Sequence, residues 1–203
     1  MDDCFDFFLL EDLETLERRS IFIPEHRNND LNKLDEDDFR RRYRFYKGTI
    51  ETLVELRCTK LDSATSRNHA LTAAEKVLAA IRFFAFGNRQ INVGDLHSIS
   101  QPSTSRAITD VARAFAELRP QYIYLPQTED QRMQDFSKSN DIATKYNAAH
   151  ARARNVIERQ YGVWKKRFSC IDTPFRCSLE TAQTAIVATA VLHNLALSLG
   201  DYD

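Results

Sequence analysis

Polar and basic side chains cluster at the start of a predicted helix in the middle of the chain. Ser100 followed by Pro102 is typical of a helix N-terminus, and the helix is predicted to run from Gln101 to Leu118. The positive end of a helix, combined with hydroxyl, amide and guanidinium donors, suits the phosphates and base edges of DNA. We expect DNA contacts from Gln101, Ser103, Thr104, Arg106 and Arg113. The alternative is an ordinary helical hairpin without a ligand.

A second basic set lies on a predicted long helix from Tyr146 to Phe168. Seven basic and two acidic side chains fall between residues 141 and 167. A face of this kind follows a phosphate backbone, and each neutralised phosphate adds salt-dependent affinity. The alternative is a solvated helix face. The basic residues are Lys145, Arg152, Arg154, Arg159, Lys165, Lys166 and Arg167, of which we expect Arg152, Arg159, Lys165, Lys166 and Arg167 to contact DNA.

Glu158 is the acidic residue of greatest interest in this helix. It follows the apolar Ile157 and is flanked by Arg154 and Arg159, so it is either a salt-bridged structural carboxylate or a catalytic one. The histidines and cysteines lack metal-ligand spacing, and a zinc site is therefore not expected. The sequence contains no Gly-rich nucleotide-binding motif and no G-x-S-x-G motif.

Composition and charge restrict the class of protein. The 203 residues include 5 glycines and 5 prolines, too few for the turns of an all-β protein. No apolar stretch approaches the length of a membrane span. Residues 1–39 carry 13 acidic and 4 basic side chains, whereas residues 40–203 carry 16 and 24. A basic body favours an anionic partner such as DNA, and the scattered cysteines favour an intracellular protein, in the nucleus or the cytoplasm.

Hydrophobic spacing predicts a mainly α chain, a helical bundle. Thr72 and Glu75 form a capping box, and Gly87 is placed to end the same helix. The predicted helices cover 5–16, two stretches within 35–58 divided near 47–49, 73–86, 92–97, 101–118, 146–168 and 178–199, with a loop at 61–70 and a weak strand at 122–125. The short helix at 92–97, its three-residue turn and the next helix are typical of a helix-turn-helix. The last helix is apolar nearly all round, and we expect it to pack inside the bundle.

Two stretches resemble the PIF/Harbinger transposases and the nuclease-like proteins derived from them. The first runs from LTAAEK at residue 71 to YIYLP at residue 126, and it includes Phe86-Gly87, Gly94-Asp95-Leu96, Ser100-Gln101 and Ser105-Arg106. The segment FRRRYRF at residues 39–45 precedes it. The second stretch comprises YNAAHARARNVIERQYGVWKKRFSCI and AVLHNLAL.

The resemblance implies a ribonuclease-H-like DDE nuclease domain. In that family an Asp-Asp-Glu triad holds divalent metal, and Glu158 matches its third acid, which is a metal ligand. The resemblance also implies nuclear DNA binding and a separate Myb-like partner protein. The predicted segments are an acidic one at 1–33, a helical helix-turn-helix domain at 34–126, a linker at 127–145 and a remnant of the DDE domain at 146–203.

The two aspartates of the triad lie in the family on a sheet between the matching stretches. Here 19 residues separate them, whereas a five-stranded sheet needs at least about 50. Two divalent ions about 4 Å apart require several converging carboxylates. We therefore expect a DNA-binding protein without nuclease activity or a cofactor of its own. The alternatives are a Mg²⁺-dependent nuclease acting on DNA and a non-catalytic protein-interaction module.

Overall fold

The computed structural model describes Arg27 and residues 29–62, 70–123, 142–175 and 177–202, with backbone alone for 142–150, 152 and 153. These residues contain helices and no strand, which confirms the mainly α prediction for this part of the chain. The helices are α1 (Asp30–Lys33), α2 (Glu36–Tyr43), α3 (Lys47–Leu61), α4 (Ala73–Phe86), α5 (Gln90–His97), α6 (Gln101–Ala116), α7 (Arg119–Tyr122), α8 (Ile142–Arg167) and α9 (Leu179–Ser198), with a 3-10 turn at Ser169–Ile171. The predicted helix at 5–16 lies outside the described residues.

Helix α4 has the ends that its sequence predicts. The Glu75 N–H donates to Thr72 Oγ1 over 3.3 Å, and the Thr72 N–H donates to Glu75 Oε2 over 2.8 Å. Gly87 ends the helix with a φ of 64°. A Cβ on Gly87 would lie 2.4 Å from Thr173 Oγ1 and 3.0 Å from the Cys170 Cα, so this position combines a left-handed backbone with a close approach of the chain.

The break between α2 and α3 lies earlier than predicted. Arg44 takes a left-handed conformation with a φ of 62°, and the buried Phe45 follows it. Lys47 and Gly48 consequently begin α3 instead of dividing two helices. Glycine is tolerated there because the first turn of a helix has no intrahelical donor bonds to lose.

Three other boundaries also differ from the predictions. Helix α5 begins at Gln90, two residues before the predicted Asn92, and its N-cap Arg89 makes no side-chain capping bond. Helix α6 ends at Ala116, two residues before the predicted Leu118, and Pro120 lies in the first turn of α7, where a missing N–H is harmless. Tyr122 belongs to that helix, so the weak strand predicted at 122–125 is wrong at this residue.

Helix α6 is the central element of the fold. It packs against α9, α4, α5 and α3, and α9 also contacts α7. Val111, Ala112 and Phe115 of α6 share one hydrophobic core with Val191 and Leu192 of α9. The last helix therefore packs inside the bundle, as its all-round apolar character predicts, after Ser178 caps its first turn. The segment boundaries at 33, 126 and 145 stay predictions.

Candidate nucleic-acid interface

A tight turn joins α5 to α6. Ser98 takes a left-handed φ of 54°, and the Ile99 N–H donates to the Gly94 carbonyl over 2.9 Å. A Cβ on Gly94 would lie 2.6 Å from the Ile99 carbonyl oxygen and 3.0 Å from Thr104 Oγ1. The absence of a side chain at Gly94 thus permits the close approach that brings the start of α6 against α5.

The first turn of α6 is held by its own hydroxyl groups. The Ser103 N–H donates to Ser100 Oγ over 3.4 Å, and Ser100 Oγ donates to Ser103 Oγ over 3.0 Å. Thr104 is fully buried, and its hydroxyl donates to the Ser100 carbonyl over 3.1 Å. This burial corrects the predicted DNA contact at Thr104, because the hydroxyl stabilises the turn and does not reach the surface.

The other predicted residues of α6 lie at or near the surface. Gln101 and Arg106 are exposed and Ser103 is half-buried. Arg106 Nε donates to the Pro102 carbonyl over 3.2 Å, which holds this side chain along the first turns of α6. Arg113 lies further along the helix and is exposed, with its guanidinium 3.0 Å from a Glu180 carboxylate oxygen. An exposed pair of this kind is weak and can exchange its partner.

The basic side chains of α8 differ in their availability. Arg159 and Lys166 are exposed. Lys165 lies 2.7 Å from Asp172 Oδ1 in an exposed ion pair. Arg152 lies in the part of α8 whose side chains the structure does not describe. Helix α8 contacts the 3-10 turn and α9.

Arg167 does not belong to the exposed basic face. Its side chain is 1% exposed, and its Nη2 donates to the Asp201 carbonyl over 2.7 Å and to Asp201 Oδ1 over 3.3 Å. The guanidinium also lies 5.0 Å from the centre of the Phe45 ring. This burial corrects the predicted DNA contact at Arg167. In the helical period, Lys165 and Lys166 face outward and Arg167 faces the core.

Glu158 lies on an exposed face of α8. Its side chain is 59% exposed, and its Oε1 accepts a hydrogen bond of 2.8 Å from Arg154 Nε one turn earlier. Within the described ranges no three His, Cys, Asp or Glu side chains are grouped to hold a metal ion. The described residues around Glu158 therefore do not fit a pair of divalent ions, which needs several converging carboxylates.

Three polar side chains, those of Asp30, Tyr43 and His97, lie together at the end of α5. The Tyr43 hydroxyl donates to Asp30 Oδ2 over 2.5 Å and lies 3.5 Å from His97 Nε2. Burial raises the pKa of Tyr43 far above its ordinary value, and Asp30 adds to this effect. Burial also lowers the pKa of His97, because the charged imidazolium is poorly solvated there. Sequence reasoning missed this group, since its members are far apart in the chain.

Comparison with known proteins gives the class of protein to which this sequence is similar. Residues 113–194, which include α8 and Glu158, match the protein family described as DDE superfamily endonuclease. The chain is similar to the Harbinger transposase-derived nuclease-like proteins, which confirms the resemblance noted in its sequence. It is 36% identical over 107 residues to "Putative nuclease HARBI1" of Xenopus laevis and of Rattus norvegicus, and 37% identical to that of Homo sapiens.

The relationship covers part of each protein. The aligned stretch is 51% of this chain and 31% of each of these relatives, so the chain spans less than a third of their length. No solved structure matches the chain significantly. Among the described helices, none is long and apolar enough to cross a membrane.

Proposed function

We propose that this chain is a transposase-derived DNA-binding protein that has no nuclease activity of its own. In this proposal α5 and α6 are the two helices of a helix-turn-helix, with α6 presented to the major groove. The observation that carries it is the exposed N-terminal part of α6, where Gln101 and Arg106 lie on the first two turns and Gly94 and Ser100 fix the start of the helix. The basic face of α8 adds phosphate contacts.

The geometry of α6 favours base and phosphate contacts over an ordinary hairpin. The side chains of Gln101 and Arg106 point away from the core, whereas the apolar side chains of the same helix are buried. Arginine and glutamine offer paired hydrogen-bonding atoms that match guanine and adenine edges. The positive end of the helix dipole at the first turn also attracts a backbone phosphate. A DNA target also supports a nuclear location.

Binding of duplex DNA by Arg106→Ala tests this proposal. We expect an affinity loss of about 10-fold in fluorescence anisotropy, in the range of one lost base or phosphate contact. Arg119→Ala is the matched control, since it removes an exposed arginine that lies beyond the end of α6. Equal affinities of wild type and Arg106→Ala, with no dependence on ionic strength, would refute the helix-turn-helix proposal.

The absence of nuclease activity is proposed from the sequence between the two matching stretches and from the surroundings of Glu158. Residues 127–145 are too few for the sheet that carries two aspartates in the family. The Glu158 carboxylate is engaged by Arg154 on a helix surface. The alternative, a Mg²⁺-dependent nuclease, gains support if transcripts of the gene include a longer form that encodes the central block.

A second candidate function, protein interaction through α8, rests on a different observation. Val156, Ile157 and Tyr161 are each more than half exposed, and Arg154 and Arg159 lie in the same turns. An apolar surface with basic edges suits an acidic amphipathic segment. Such a segment is present in this chain at residues 2–17, which hold seven acidic and no basic side chains and several phenylalanines and leucines.

We therefore propose residues 2–17 as the occupant of this face, where they would compete with DNA. A chain lacking residues 1–26 is expected to bind DNA several-fold more tightly than the full chain, and the uncharged substitution Ile157→Gln in the full chain is expected to have the same effect. Unchanged DNA affinity in both variants would refute the proposal that residues 2–17 occupy this face. Capture of a Myb-like protein without DNA would assign the face to a separate partner instead.

A further inference from the structure

Three arginines converge beside α5 in a part of the molecule that the proposed interface does not include. Arg42 and Arg44 come from the end of α2, and Arg82 comes from α4. Arg82 Nη1 donates to the Arg42 carbonyl over 2.5 Å, which ties the two helices together. We name Arg42, Arg44 and Arg82 the arginine cluster.

The ring of Phe86 fixes the positions of two of these guanidinium groups. The Arg82 guanidinium lies 4.4 Å from the ring centre, and the Arg44 guanidinium lies 5.4 Å from it. Stacking on an aromatic ring attracts a guanidinium group and leaves its N–H edge free to donate hydrogen bonds. The cluster is thus preorganised, and a ligand that binds it loses less conformational entropy in ordering the side chains.

The positive charge of the cluster lacks a matching acidic partner. Among the described residues, none of the three arginines forms an ion pair, whereas the neighbouring Arg41 lies 3.6 Å from Asp38 Oδ1. The Asp30 carboxylate acts on Arg82, but it already accepts the Tyr43 hydroxyl. The pKa of Arg82 is lowered by burial and further by the like charges of Arg42 and Arg44. Like charges held together in this way are stabilised by an anion.

The cluster lies next to the first helix of the proposed helix-turn-helix. The Tyr43 ring, 5.9 Å from the Arg82 guanidinium, lies 6.3 Å from the ring of His97, the last residue of α5. In a helix-turn-helix the second helix enters the major groove while the first crosses the backbone. In the proposed helix-turn-helix docking, the cluster lies beside the phosphates that flank the groove.

We propose that Arg42, Arg44 and Arg82 bind the phosphodiester backbone of DNA, as a second contact surface separate from α6. The inference rests on the proposed function, because it assigns part of the same DNA interface. Planar guanidinium groups bind phosphate oxygens in a bidentate manner, and the exposed Arg42 extends the site along the surface. The cluster adds affinity that does not depend on sequence, while α6 reads the bases.

The test is the salt dependence of DNA binding by an Arg42→Gln/Arg44→Gln double variant. Each lost phosphate contact reduces the slope of log affinity against log salt by about 0.9. We expect a slope smaller by about 1 to 2, with an affinity loss of about 10-fold or more at low salt and equal losses on different DNA sequences. Arg41→Gln is the matched control, and its slope is expected to equal that of the wild type. A wild-type slope in a folded double variant would overturn the proposal.

Two further experiments distinguish failure of the cluster proposal from failure of the helix-turn-helix proposal. Arg42→Gln alone changes an exposed side chain, so it serves if Arg44→Gln impairs folding, which circular dichroism would detect. If wild-type protein binds no duplex DNA, the proposed function fails, and the cluster is then tested with inorganic pyrophosphate. If pyrophosphate raises the thermal stability of the wild type but not that of the double variant, the cluster is an anion-binding site. If pyrophosphate does not stabilise the wild type, the proposal for the cluster is refuted as well.

Discussion

Arg167 and Asp201 form an ion pair in which both side chains are 1% exposed. Asp201 comes three residues after the end of α9 and joins the last turn of α8 to the start of α3, because its Oδ2 also accepts the Tyr46 N–H over 3.0 Å. A buried charge is tolerated only when it is paired and hydrogen-bonded. The pair therefore fixes the end of the basic helix to the core.

Removal of one member of this pair is expected to destabilise the protein strongly. Arg167→Met leaves the Asp201 carboxylate buried without its counter-charge, and the expected loss in unfolding free energy is about 3–5 kcal/mol. Urea denaturation measures it. The double variant Arg167→Met/Asp201→Leu should recover part of the loss. A single variant that loses less than about 1 kcal/mol would contradict the buried-pair account.

Substitution of Gly94 beside the turn between α5 and α6 is expected to differ in effect from substitution of Gly162 in α8. Gly94→Ala places a methyl group 2.6 Å from the Ile99 carbonyl oxygen, and overpacking of this kind costs about 1–3 kcal/mol. Gly162 in α8 has no atom within 4 Å of such a methyl group, so Gly162→Ala should stabilise α8 by about 0.5–1 kcal/mol. Thermal denaturation compares the two, and DNA affinity should fall with Gly94→Ala. Equal effects on stability would show that the turn does not need a glycine.

Burial of His97 predicts a pH dependence of stability. Its folded-state pKa lies below the unfolded value of about 6.5, so the unfolded chain takes up a proton first as the pH falls. Stability is therefore present above about pH 6.5 and is lost as the pH falls from there towards the folded-state pKa. The groups that act on the imidazole include Tyr43, Asp30, Arg82 and Glu75, of which Asp30 and Glu75 oppose the shift.

The measurement is the free energy of unfolding between pH 5 and pH 8 for the wild type and for His97→Gln. The variant removes the titrating group, so its stability should change less with pH across this window than that of the wild type. A comparison of slopes is independent of any overall loss from the substitution. Identical slopes would indicate that His97 titrates normally in the folded protein.

Local sequence signals predicted the fold well, and non-local contacts limited the prediction of the site. The capping box at Thr72 and the cap at Ser178 depend on residues within one turn, so both helix starts could be predicted from the sequence. At the turn after α2, Arg44 is left-handed and Phe45 is buried, and no local sequence signal gives either feature. The same reason explains Arg167, whose partner Asp201 is 34 residues away.

The arginine cluster shows the same limit. The run of arginines at residues 40–44 is visible in the sequence, but Arg82 is about forty residues away and reaches it through a backbone carbonyl and a shared aromatic ring. Gln101 and Arg106 were predicted to contact DNA from their place at the start of a helix, and both are exposed in the structure.

One measurement tests the central claim of binding without cleavage most directly. Labelled duplex DNA is incubated with purified protein and Mg²⁺ or Mn²⁺, and retention and strand breaks are read from the same sample. The account predicts that the DNA is retained in a salt-sensitive manner and stays intact, with wild type and Glu158→Gln indistinguishable. Metal-dependent strand breaks that Glu158→Gln abolishes would contradict it.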